Sequence, residues 1–98
     1  MTVFDPALLL SAQRALLGAI GTDVRKVGVR REGETIVVTT VSAQPLSDTA
    51  ADALSAAAGE IIADFPGCKI DERLVVSGAV PLSGISVGHP VFQRLEVA

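Results

Sequence analysis

Cysteine, histidine and aromatic residues are scarce in this sequence. Its 98 residues include one Cys, one His and three Phe, with neither Trp nor Tyr. Each scarcity excludes something. A single Cys forms no internal disulfide, so nothing indicates an oxidising compartment. One Cys and one His do not make a Cys/His zinc site. Without Trp or Tyr the chain has poor stacking platforms for single-stranded nucleic acid. Met1-Thr2-Val3-Phe4-Asp5-Pro6 lacks the positive n-region of a secretory signal, and the apolar stretch Ala7 to Leu10 is far too short to span a membrane. These features predict a soluble, cytoplasmic protein. The length suits one domain over residues 1–98 that folds without disulfides or metals.

Charge is present and unevenly placed. The formal net charge is -3. Arg25, Lys26, Arg30 and Arg31 cluster around one predicted hairpin, against Asp23 alone. Asp48, Asp52, Glu60, Asp64, Asp71 and Glu72 cluster further on, against Lys69 alone. A basic hairpin opposed to an acidic half is therefore expected.

The hydrophobic period gives the elements. Asp5 is a favoured N-cap and Pro6 suits the first helical position. Phe4 and Leu9 fall at the positions of a hydrophobic staple. Leu9, Ala12, Leu16 and Ala19 recur at helical spacing, widened by Leu8, Ala15 and Ile20. Ser11, Gln13 and Arg14 are expected outside, and Gly21 is the expected stop. The period then changes to two. Val27 and Val29 alternate with Lys26, Gly28 and Arg30, which predicts a strand with one solvated face. A turn at Arg31-Glu32-Gly33-Glu34 leads into the strand Thr35 to Val41, apolar or Thr on both faces and hence central. Ser47 or Asp48 caps a second helix that buries Leu54, Ala57, Ala58, Ile61 and Phe65 and exposes Asp52, Ala56, Glu60, Ala63 and Asp64. Pro66-Gly67 ends it. A third strand runs from Lys69 to Ser77, a loop of about a dozen residues from Gly78 to Pro90 follows, and Val91 to Val97 has the character of a fourth, edge strand. The order α-β-β-α-β(-β) implies a two-layer α+β sandwich, with two helices on one face of a mostly antiparallel sheet.

No constellation dictates chemistry. His89 lies in a predicted loop with Ser83 and Ser86 near it in sequence, but no GxSxG elbow is present. A solvent-exposed loop His is the expectation. Cys68 follows a helix C-terminus, whose dipole disfavours a thiolate, so it reads as a structural, at least half-buried Cys. Glu60 and Asp64 are one turn apart, yet hard cations need several converging oxygens. No catalytic, cofactor-binding or metal-ligating residue is assigned, and an enzyme is not expected. Gly18-Ala19-Ile20-Gly21 has the GxxG string of KH modules but lacks basic residues between the glycines. The Ser42-Ala43-Gln44-Pro45 loop has no Cys, which excludes the iron–sulfur scaffold domains that share this element order.

Three stretches carry a family resemblance: Glu60-Ile61-Ile62-Ala63-Asp64-Phe65-Pro66-Gly67 with the following Glu72-Arg73-Leu74-Val75-Val76, Arg14 to Ile20, and Val91-Phe92-Gln93-Arg94-Leu95-Glu96. Together they resemble small α+β proteins of proteobacteria, among them immunity proteins of contact-dependent inhibition and related polymorphic toxin systems. The resemblance covers most of the chain and includes no diagnostic motif. It implies a non-catalytic, cytosolic protein that binds and neutralises a cognate toxin domain. An acidic surface would suit a toxin with a basic cleft, such as a nuclease. Asp52, Glu60 and Asp64, extended by Asp71 and Glu72, are the candidate partner-binding residues. The alternatives are a small structural or regulatory homodimer formed through the sheet edge or face, and a minor nucleic-acid-binding domain using the basic hairpin.

Overall fold

The computed structural model describes residues 5–78 and 80–94. The order is α1 (Pro6–Ala15), β1 (Val24–Glu32), β2 (Thr35–Ser42), α2 (Asp48–Ala63), β3 (Lys69–Val76), a short 3-10 turn (Leu82–Gly84) and β4 (His89–Gln93). The four strands form one sheet in the order β3-β2-β1-β4. β1 pairs antiparallel with both β2 and β4, and β2 pairs parallel with β3. This is the expected α+β arrangement, with a central β2 and β4 at an edge. Phe4 and residues 95–97, expected in a staple and in the last strand, lie outside the described residues.

α1 begins as its sequence dictates. Asp5 Oδ1 accepts from the amides of Ala7 (3.1 Å) and Leu8 (3.2 Å), satisfying donors that the helix leaves orphaned. Its end differs from expectation. The helix stops at Ala15, well before Gly21, and Gly18 takes the left-handed conformation at φ 80°. Gly18 supplies the cheap reversal that turns the chain toward β1. Ser11, expected outside, is buried, because α1 packs beside α2.

β1 departs most from its pattern. Its residues Val24 to Val29 are all buried, so the expected solvated face does not exist. Val24, Val27 and Val29 meet Leu8, Ala12, Leu16, Ile36, Val38, Ala57 and Ile61 in the main core. A bulge between Val24 and Lys26 inserts Arg25 and shifts the phase, which keeps Val24 on the same face as Val27 and Val29. The other face lies under the segment after β3. There Leu82 and Val87 are buried against Val41 in a second small core, with Ile85 packed on it. This strap passes directly over Gly28, where any Cβ would overlap both the side chain and the carbonyl of Val87.

Arg25 and Lys26 hold the strap. Arg25 donates to the carbonyls of Ser77 (2.6 Å) and Val80 (2.9 Å). Lys26 Nζ donates to Ile85 (3.3 Å) and lies 3.5 Å from the carbonyl of Leu82. Both side chains are buried, which is tolerable only because carbonyl oxygens replace their water. The basic hairpin is therefore not an exposed cationic surface. Its other two cations are paired locally, Arg30 with Glu32 (2.8 Å) and Arg31 with Asp5 (3.6 Å). The nucleic-acid reading that rested on these four cations loses its basis.

His89 is also placed differently from expectation. It is half-buried at the start of β4, opposite Val29, rather than exposed in a loop. Cys68 is partly buried against the main core.

The strap predicts opposite outcomes for two glycines. Gly28→Ala must lift the strap and should lower stability by about 1–3 kcal/mol in urea or thermal unfolding. Gly59→Ala, on the exposed side of α2 with open space around it, should raise stability by up to about 1 kcal/mol. Equal effects would contradict the close approach.

Candidate partner-binding surface

α2 is capped by Ser47, whose Oγ accepts from the Ala50 amide (3.1 Å), and it runs sixteen residues to Ala63. Its buried stripe is small and apolar: Ala57, Ala58 and Ile61, flanked by Leu54 and Phe65. Everything charged lies elsewhere. Asp48, Asp52 and Glu60 are exposed, and Asp64 follows at the C-cap. The helix has no basic residue. The ion pairs Arg30–Glu32, Arg31–Asp5 and Arg73–Asp71 involve no carboxylate of this helix.

The five candidate carboxylates do not form one patch. Asp52 and Glu60 stand on the outer side of α2. Asp64 turns toward α1, where Ser11 Oγ donates to Oδ2 at 2.6 Å. Glu72 lies on the helix-facing side of β3 and accepts from Ser55 Oγ at 3.4 Å, which joins it to the flank of α2. Asp71, its neighbour in the strand, alternates to the opposite face and pairs with Arg73 at 2.9 Å. The structure thus brings Asp52, Glu60, Asp64 and Glu72 around one helix and leaves Asp71 behind the sheet edge.

The charge at the C-terminal end of this helix opposes the helix dipole. The C-terminal end of a helix carries partial negative charge, and acidic residues there are unfavourable by about 0.3–1 kcal/mol each. Glu60 and Asp64 both sit at that end, with no cation in the last turn. The hydrogen bond from the buried Ser11 hydroxyl outweighs this for Asp64. Glu60 has no comparable compensation.

Sequence reasoning did not single out the surface beside the acids. β3 is an edge strand, and Leu74, Val75 and Val76 are 50%, 38% and 48% exposed. Between β3 and α2 lies a cleft of about 160 Å³, lined by Val38, Leu46, Leu54, Ala58, Glu72 and Leu74 among others. The available signal was three consecutive apolar residues in a strand: whichever face they were assigned, one side had to be left uncovered.

Among the described residues, no three His, Cys, Asp or Glu side chains gather to hold a metal. Among the same residues, no helix is long and apolar enough to cross a membrane. The arrangement offers recognition: an acidic helix next to an apolar sheet edge. The chain matches the family model of the MafI2 immunity protein over residues 5–96. It belongs to the MafI2 immunity protein family. The match takes in every described element, so α2, β3 and the strap are all parts of the family's domain. No curated protein matches the chain. Membership implies a toxin as the partner and bears out the resemblance to toxin-neutralising proteins.

The electrostatics separate the two acids at the end of α2. Glu60→Gln should stabilise the fold by about 0.3–1 kcal/mol. Asp64→Ala should destabilise it by about 1 kcal/mol, since the buried Ser11 hydroxyl loses its acceptor. Urea unfolding of both variants checks this, and the same sign for both would refute it.

Proposed function

We propose that this member of the MafI2 immunity protein family is a non-catalytic cytosolic inhibitor that engages its toxin through the acidic side of α2. The observation that carries this reading is the run Asp48, Asp52, Glu60 and Asp64 on one helix without a single cation, two of them placed against the helix dipole. Charge kept where it costs stability fits selection for a partner rather than for the fold. The partner's matching surface is basic, which suits the cleft of a nuclease domain delivered by a contact-dependent or other polymorphic toxin system. Asp52 and Glu60 supply long-range attraction and speed encounter. Asp64 and Glu72, held by Ser11 and Ser55, enter with less freedom to lose. Asp71 contributes from around the β3 edge.

Charge reversal tests this. Asp52→Lys with Glu60→Lys should slow association with the toxin domain by roughly tenfold or more at low salt, and the deficit should shrink as salt rises. Glu34→Lys, on the exposed hairpin tip, should leave association nearly unchanged. Surface plasmon resonance against the cognate toxin domain reads both. Equal rates for the α2 double variant and the unmodified protein would remove this surface from the proposal.

A further inference from the structure

β3 is an open edge of defined polarity. The Lys69 amide donates to Glu34 O at 2.7 Å and the Ser77 amide to Ser42 O at 2.8 Å, both toward β2. The β2–β3 register runs from Thr35↔Lys69 to Ser42↔Val76 without a bulge. Peptide groups alternate sides along a strand, so the odd-numbered residues bond to β2. Ile70, Glu72, Leu74 and Val76 therefore turn their N–H and C=O groups outward. Sheet edges are commonly blunted by charge, bulges or covering elements. Here the charges Lys69, Asp71, Glu72 and Arg73 occupy the first half of the strand, and the second half is bare Leu74, Val75 and Val76.

The sequence of β3 is complementary to itself. Consider two copies of the strand paired antiparallel in registers that align outward peptide groups. Centring on Asp71 sets two aspartates face to face and Lys69 opposite Arg73. Centring on Arg73 sets two arginines face to face and Glu72 opposite Leu74. Centring on Leu74 places Arg73 opposite Val75 and Glu72 opposite Val76. Centring on Val75 joins the apolar residues but runs past the end of the strand at Val76. Centring on Glu72 does better than all of these. It sets Asp71 opposite Arg73 twice and Ile70 opposite Leu74 twice, and it lays the Lys69 stem over Val75. Asp71 and Arg73 are already paired within each strand at 2.9 Å, so two strands close a ring of four alternating charges. The one conflict is Glu72 facing its own copy, and each Glu72 is drawn toward Ser55 of its own α2.

We infer that the β3 edge pairs antiparallel with β3 of a second copy of this chain, in the register centred on Glu72, forming a continuous eight-stranded sheet with all helices on one side. The occupant is a second copy because the complementarity is between the strand and itself, in charge and in apolar contact. The seam is a single strand per protomer, well below the ~1,600 Å² of a standard interface, and the dimer is correspondingly weak, with a Kd on the order of 100 μM. Asp71 and Glu72 belong both to this seam and to the proposed toxin-facing surface, and the test below reads self-association without toxin.

Sedimentation velocity on the full chain tests it, over about 5 μM to 1 mM. The expected result is a rise from 10.1 kDa toward twice that mass. Arg73→Asp or Asp71→Arg alone should weaken association about tenfold or more, because like charges then face each other at both ends of the ring. The double variant D71R/R73D should restore it. Glu72→Gln should tighten it about three- to fivefold. Unchanged circular dichroism and melting of each variant confirm that the fold is intact. A monomer at every concentration, or a dimer insensitive to the single reversals, would overturn the proposal. So would a chain that stays monomeric alone and gains amide protection in β3 only when toxin is added, which would assign the edge to a toxin strand. Failure of the charge swap to rescue would overturn the register.

Discussion

The structure depends on burying the β1–β2 hairpin from both sides. Two faces must be covered, and the chain uses different means for each. Helices cover one face through apolar packing. The other is covered by a strap that contributes few apolar side chains and is held largely by Arg25 and Lys26 through backbone carbonyls. Those cations sit where a sheet would normally expose them, so the strap and the cations require each other. Removing the strap would strand two charges on apolar surface, and removing the cations would free the strap. The missing Cβ of Gly28 lets the two layers approach closely enough for this to work.

Covering the centre of the sheet leaves its periphery open. β3 is paired on one side only, and α2 covers it incompletely, so Leu74, Val75 and Val76 remain exposed. The outer side of α2 is exposed and carries the acids. Fold stability is thus concentrated in β1, β2 and the inner faces of the helices, while the surfaces free to bind lie at one end. A member of the MafI2 immunity protein family has to recognise a toxin, and the surface proposed for it, the acidic side of α2, carries charge that the fold does not use.

Much of this was legible in the sequence. The N-caps of both helices, the buried stripe of α2, the hairpin turn, the central position of β2 and the exposed acids of α2 all follow from local patterns that the structure keeps. The misreadings share one cause. Arg25 and Lys26 look like solvated hairpin charges because period-two reasoning treats the polar face as wet. It has no means of knowing that residues more than fifty positions later fold back over them. Ser11 looks exposed for the same reason: only the neighbouring helix and Asp64 make its position an inside one. Gly21 looked like the helix stop, but Gly18 met the same conformational need earlier. At the acidic surface, strand alternation separates Asp71 from Glu72, a division that adjacency in sequence conceals. The apolar end of β3 was visible in the sequence, but its exposure follows from the sheet order.

The proposed toxin-binding surface is the acidic side of α2. Carboxyl footprinting tests it most directly: the chain is labelled with a carbodiimide and a small amine, free and in complex with its toxin domain, and modification is read residue by residue. Asp52 and Glu60 should lose most of their reactivity in the complex, while Glu32 and Glu34 on the hairpin keep theirs. Unchanged labelling of Asp52 and Glu60, with protection confined to the hairpin, would contradict the claim.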